Sequence, residues 1–258
     1  MLFRAAQALR FLALFWIGLA ALGARDRAQA QAQPCQPLAY EGNDYVVCEI
    51  DVRRYQLRTF WRGPDGAPVG SLDRLAQVAN LAEGGLVFAM NGGMYHADLA
   101  PVGLYVENGQ ELVRANTANG PGNFHMKPNG IFWVGAGRVG VSETGRYLRE
   151  RSSTEYATQS GPMLVINGRI HPKISDQGVS RKIRNGVGVR DANTAVFAIS
   201  ERAVTFGEFA HLFRDRLRTP NALFLDGSIS SLYAPALRRN DGLLPLGPMI
   251  GAFERPRR

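Results

Sequence analysis

Between Val87 and Gly109 the chain reads VFAMNGGMYHADLAPVGLYVENG. An apolar run stops at Asn91-Gly92-Gly93, and a second apolar pattern opens at Gly103. Short apolar runs bounded by Gly, Asn or Pro predict buried strands, because helices need longer periodic segments and these residues interrupt them. Between the two runs lie Tyr95, His96 and Asp98, with Pro101 stiffening the return. Such a segment either only links two strands or forms one wall of a site.

The same format recurs along the chain. Leu86–Met90, Gly103–Val106, Ile131–Val134, Met163–Ile166, Val187–Val189, Ala195–Ile199 and Ala222–Leu225 predict buried strands, and the alternating Tyr45–Ile50 and Tyr55–Phe60 predict half-buried strands joined by a short turn. Two helices are expected. Ser71 caps one that runs to about Ala82, with Gly84-Gly85 as its stop. Thr205-Phe206-Gly207-Glu208 is a capping box for another, whose Phe206, Phe209, Ala210, Phe213 and Leu217 recur at helical spacing and belong to a core. Many strands with two helices that do not alternate predict an α+β fold, a mixed and largely antiparallel β-sheet core with two main helices in a single domain.

The N-terminus reads as a removable segment. Arg4 and Arg10 precede the 14-residue apolar run Phe11–Ala24, too short for a membrane span of about 20 residues, and Ala28-Gln29-Ala30 offers the small residues of a cleavage site. Residues 1–30 are therefore expected to be a secretory signal and 31–258 the functional domain, periplasmic or secreted and without a stable membrane anchor. In that compartment Cys35 and Cys48, the only cysteines, are expected to form a disulfide. The formal charge of +8 falls to +5 once four arginines and one aspartate leave with the signal. An exported basic chain points to phosphorylated or acidic glycans rather than nucleic acid. Glu254–Arg258 reads as a loose tail.

Five polar clusters sit at strand ends: Asn91-Gly92-Gly93, Lys127-Pro128-Asn129-Gly130, Gln159-Ser160-Gly161-Pro162, Arg184-Asn185-Gly186 and Asp226-Gly227-Ser228-Ile229-Ser230-Ser231. Glycine-rich strand ends permit close backbone approach to a ligand and free N–H groups for anions. Asp226 ends an apolar run beside a Gly-Ser turn, where it either does chemistry or closes an Asx turn onto Ser228. Arg184 abuts Asn185-Gly186 and suits a phosphate. His96, His125, His171 and His211 show no metal spacing, and Asp98 and Glu107 are the carboxylates nearest the opening loop. No nucleophile elbow, P-loop or His-Glu-x-x-His occurs.

Taken in order, Asn91-Gly92-Gly93-Met94, Pro101-Val102-Gly103-Leu104, Pro128-Asn129-Gly130, QSGPMLVINGRIHP from Gln159, RNGVGV from Arg184 and LFLDGSISSLY from Leu223 resemble the phosphodiester glycosidase family. The final loop departs from the glycine-richer form of many members. The resemblance implies hydrolysis of the C1–O bond of a sugar-1-phosphodiester on a glycan. The residue roles follow from chemistry. Asp226, Arg184 and Asn91 are expected to be catalytic. Gly92, Gly93, Lys127, Asn129, Gln159, Ser160, Gly161, Asn185, Gly227 and Ser228 are expected to bind substrate, with loop N–H groups at Gly92-Gly93 and Gly227-Ser228 helping Arg184 hold the phosphoryl oxygens. No cofactor is required by this reading, and a divalent metal is left open. Two other readings stand beside it: a non-catalytic module for phosphorylated polysaccharide, with Tyr95, Tyr105, Trp133 and Tyr233 as stacking surfaces, and a metal-dependent phosphodiesterase using Asp226 and Asp98.

Overall fold

In a strand, neighbouring residues face opposite ways, so an apolar run without polar interruption must be covered on both faces. Strand β2 (Asn43–Asp51) shows this in a computed structural model that describes residues 33–82, 85–150 and 153–255, side chains 80–82 excepted. Its Tyr45 and Val47 meet the helix phenylalanines Phe209 and Phe213, while Val46, Cys48 and Ile50 meet a second core between sheets.

Among the described residues the strands form three sheets, with every pairing of strands in them antiparallel. The seven-stranded sheet runs β1 (Cys35–Tyr40), β2, β13 (Thr194–Ser200), β12 (Asn185–Asp191), β14 (Asn221–Asp226), β10 (Met163–Ile166) and β11 (Arg169–Ile170). A five-stranded sheet runs β16 (Arg239–Asn240), β15 (Leu232–Ala234), β4 (Leu86–Asn91), β17 (Met249–Glu254) and β3 (Tyr55–Phe60). The other runs β6 (Gln110–Val113), β5 (Tyr105–Glu107), β9 (Tyr156–Ser160), β7 (Gly130–Gly135) and β8 (Arg138–Glu143). Phe88, Met90, Phe132, Phe197, Leu223 and Ile250, drawn from all three, share the central core.

The expected α+β core with two main helices is corrected: the protein is predominantly β. Helix α1 (Leu72–Ala82) packs Leu72, Leu75 and Ala79 on the outer side of the sheet holding Ala89 and Met249. The short α2 (Thr144–Glu150) was not anticipated, since its charged sequence has no long apolar period. Helix α3 (Phe206–His211) opens on the expected capping box, Thr205 with Glu208, and passes into a π-helical turn, Leu212–Arg216. These elements cover outer faces, and the centre is strand against strand.

The short turn after β2 does not fold a hairpin; it delivers the chain to another sheet, where β3 pairs with β17. Cys35 lies opposite Cys48 in the β1–β2 ladder and the two are bonded. Glu254 ends β17, and Arg255 donates to the Val52 and Tyr55 carbonyls, so the tail is fixed at least that far. The expected secretory signal lies outside the described residues. No described helix is long and apolar enough to cross a membrane.

Candidate active site

Strands β4, β12 and β14 end close together. At their ends Asn91 and Asn185 are fully buried and Asp226 is 8% exposed. A β-bulge sets Asp226: Asn185 pairs with Asp226 but Gly186 pairs with Phe224, so Leu225 falls out of register. A bulge turns the following side chain and increases twist. The Ser160 hydroxyl donates to the Leu225 carbonyl at 2.9 Å and thereby fixes the bulge.

The three side chains then close a ring. Asn185 donates through Nδ2 to Asn91 Oδ1 at 2.7 Å and to the Asn91 carbonyl at 3.1 Å. Its Oδ1 accepts from the Asp226 N–H at 2.9 Å, and the Ser231 N–H donates to Asn91 Oδ1 at 2.9 Å. The Asp226 carboxylate is divided. Its Oδ1 accepts from the N–H groups of Gly227 at 2.6 Å and Ser228 at 2.8 Å, whereas Oδ2 has one long contact, 3.5 Å from Asn91 Nδ2. The Asx turn and the site candidate thus coexist, on different oxygens. Burial raises the carboxyl above its ordinary value, opposed by the N–H groups of Ser228, Gly227 and Ile229. Tyr95 feels its charge: burial first, and the Asp226 carboxylate second, push the phenol to about 12.

Arg184 is 1% exposed and lies on the far side of the turn. Its guanidinium stacks 3.7 Å from the Phe206 ring centre and donates to the carbonyls of Val204 at 2.9 Å and Ser180 at 2.8 Å. Desolvation lowers its pKa to about 10, which leaves it charged at neutral pH. A Cβ on Gly227 would sit 3.3 Å from Arg184 Nη1 and 2.9 Å from the Phe224 ring, so only glycine lets the turn rest on the cation. Arg184 therefore places positive charge under the turn instead of reaching over it. The N–H groups of Gly227 and Ser228 are occupied by Asp226, and that of Gly92 by the Pro248 carbonyl at 2.7 Å.

The remaining candidates belong to a second network. Gln159, 1% exposed, accepts from the N–H groups of Leu104 at 2.9 Å and Asn116 at 2.8 Å, and donates to the Asn116 carbonyl at 2.8 Å. Gly103 must lack a side chain, because a Cβ there would lie 2.3 Å from Gln159 Oε1. Asn129 donates to the Phe124 carbonyl at 2.9 Å and accepts from Thr144 Oγ1 at 2.8 Å, packed against Gly161. Lys127 reaches the Thr117 carbonyl and, at 2.9 Å, Asn119 Oδ1. This group fastens the segment from Val102 to Asn119.

Asp98 caps its own loop through the Ala100 N–H, and Glu107 accepts from the Tyr105 hydroxyl at 2.6 Å; neither reaches the ring. Among the described residues no three of His, Cys, Asp and Glu gather closely enough to hold a metal ion. On the outer side of the Gly227–Ser231 turn opens a cleft of about 640 Å³, walled by Lys182–Ile183, by the turn, and by Arg239–Leu244. Two contributors escaped the sequence reading: the Ser231 N–H, a backbone group with no residue signature, and the bulge at Leu225, which depends on a distant partner strand.

Comparison with known proteins places the chain among glycosidase-type hydrolases. A family model described as phosphodiester glycosidase matches residues 84–249, and the chain belongs to that family. The uncharacterized protein YigE of Escherichia coli (strain K12) is 40% identical over 184 residues, spanning 71% of this chain and 72% of its own. The catalytic domain of zebrafish N-acetylglucosamine-1-phosphodiester alpha-N-acetylglucosaminidase, solved auto-inhibited by its pro-peptide, has the same fold: TM-score 0.59 and 13% identity, over 86% of this chain and 82% of its own. The "Putative exported protein" of Burkholderia pseudomallei K96243 aligns with TM-score 0.50 and 12% identity, over 82% and 74% of the two chains.

Proposed function

We propose that this protein hydrolyses the C1–O bond of a sugar-1-phosphodiester, outside the cytoplasm, with Asp226 as general base. The observation that carries the reading is the division of the carboxylate, one oxygen clamped by two N–H groups and the other left with a 3.5 Å contact. A water held at Oδ2 gives its proton to Asp226 while its oxygen bonds to the anomeric carbon. The C1–O bond breaks, and the phosphomonoester leaves with the electron pair. Because that group departs as a stable anion, the second carboxylate of ordinary glycosidases is unnecessary. The ring holds Asp226 alone among carboxylates, which fits. Asn91 and Asn185 orient the carboxylate, and Arg184 supplies fixed positive potential beneath the turn where phosphoryl charge builds up. The route balances without a cofactor. The Cys35–Cys48 disulfide supports a periplasmic or secreted location, and the fold shared with a protein named as a "Putative exported protein" is in keeping with it.

The test is hydrolysis of an N-acetylglucosamine-1-phosphodiester in water labelled with heavy oxygen, with and without chelator. Label in the free sugar is expected in both arms. Label in the phosphate would mean attack at phosphorus, and binding without turnover would mean a glycan-binding module.

A further inference from the structure

The cleft outside the Gly227–Ser231 turn has a composition that the hydrolytic chemistry does not require. Five large hydrophobic residues stand exposed in the described structure, and three of them line this one cleft: Leu243 at 96%, Leu244 at 52% and Ile183 at 44%. Singly scattered apolar residues are ordinary on a protein surface, but several rimming one concavity mark a ligand. The charges are divided as well. Arg239 is bonded to both Glu201 and Asp241, which ties up the cleft's acids, whereas Lys182 makes no ion pair among the described residues. An unpaired ammonium next to an apolar rim complements an amphiphilic anion. The turn that begins at Asp226 reaches the neighbour of Lys182, the Ser230 hydroxyl donating to the Ile183 carbonyl at 3.1 Å, so cleft and carboxylate share one backbone segment.

We propose that the cleft is the aglycone subsite and that the aglycone is an alkyl or acyl chain. This rests on the sugar-1-phosphodiester reading above. The sugar's anomeric carbon lies at Asp226 Oδ2, the phosphoryl group lies at the turn near Lys182, and the chain runs along Leu243, Leu244 and Ile183. The substrate class is therefore a phosphodiester joining a sugar to a lipid-like alcohol, bound as a single amphiphile.

The experiment compares N-acetylglucosamine 1-(methyl phosphate) with N-acetylglucosamine 1-(octyl phosphate), both below the micellar concentration. The octyl diester is expected to show a KM lower by at least about tenfold, since each buried methylene adds to binding. In the double variant Leu243→Ser, Leu244→Ser the ratio of the two KM values is expected to collapse toward one. Turnover of both diesters with equal KM in the unaltered protein overturns the subsite and leaves the hydrolytic reading intact. If neither diester is cleaved, calorimetry with octyl phosphate decides: binding weakened about tenfold by the double variant supports the subsite, and no binding at millimolar concentration overturns it. Adsorption to phosphatidylglycerol vesicles that octyl phosphate fails to compete would assign the leucines to a bilayer and also overturn it.

Discussion

Gln159 and Ser160 are neighbours on β9, face opposite ways, and organise two networks that differ in one respect. On the Gln159 side every amide atom has a close partner: two backbone N–H groups, a carbonyl and the Thr144 hydroxyl. On the Ser160 side the Asn91–Asn185–Asp226 ring is likewise buried and cross-braced, yet the side-chain hydrogen bond to Asp226 Oδ2 is a long one, 3.5 Å from Asn91 Nδ2. Both networks use amides at glycine-flanked strand ends. A saturated buried network rigidifies the fold, while an unsaturated acceptor is costly unless something else uses it. On the proposed function, that difference separates scaffold from site.

The strongest way to break this distinction is Asp226→Asn. Turnover is expected to fall by about a thousandfold or more, the scale of losing a general base. Stability should not fall with it. Because folding raises the carboxyl pKa, the group favours the fold below its unfolded value and loses that contribution as pH rises through the folded value. At neutral pH the ionised form is the disfavoured one in the folded state, so a neutral amide leaves the melting temperature equal or higher. A melting temperature that drops in step with activity would make the ring a second scaffold. The proposed hydrolysis by the unaltered protein should lose kcat/KM on acidification through a limb above the ordinary carboxylate value of about 4.

Gln159→Leu tests the other side. It strands two N–H groups and a carbonyl, at about 1–3 kcal/mol for each group left buried and unmatched. A loss on the order of 3 kcal/mol, or roughly 10 °C in melting temperature, is expected. Activity per folded molecule at low temperature should change little. A folded, inactive Gln159→Leu would move the second network into the site.

How much of this was legible depends on whether a residue's meaning lies in its neighbours or its partners. Asp226 and Asn91 could be read directly, because each ends a run that must be buried and must therefore carry a polar side chain into a dry place. Thr205 and Glu208 were legible for the same local reason, the capping box being contained within four residues. Asn129 and Gln159 looked identical to Asn91 and Asn185, since sequence gives an amide but not whether its bonds are filled. The β-rich architecture was hidden by strands such as Tyr156–Ser160, whose threonine, glutamine and serine resemble a loop but are buried by other sheets. Arg184 was read as a ligand-facing cation; its position beneath Gly227 follows from packing on Phe206 and Phe224.

Ser160→Ala sharpens the comparison with a smaller effect. The hydroxyl touches no reacting atom in the proposed scheme; it positions Asp226 through the Leu225 carbonyl. We expect about a tenfold loss in kcat with KM nearly kept, and a stability cost of about 1 kcal/mol. A purely structural serine would lower stability and leave kcat alone.

The smallest expected effect lies away from both networks, on the helix side of the seven-stranded sheet. His211 meets Asp215 at 2.9 Å through Nδ1 and Asp176 at 3.0 Å through Nε2, with Arg214 3.0 Å from Nδ1 as the opposing charge. Asp215 chiefly, and Asp176 after it, raise the imidazole above its ordinary value against burial and Arg214. A raised folded pKa gives a contribution present in full below about 6.5 that is lost as pH climbs through the folded value. The melting temperature should therefore decline from pH 6.5 upward, and His211→Gln should remove that part of the slope. Because the cluster is partly exposed, added salt should flatten the same slope. The kcat of the hydrolysis should not follow it, since neither His211 nor its partners belong to the Asp226 ring. A kcat that tracks His211 titration would tie the segment carrying Asp176, and with it Lys182, to catalysis, and would erase the boundary drawn between scaffold and site.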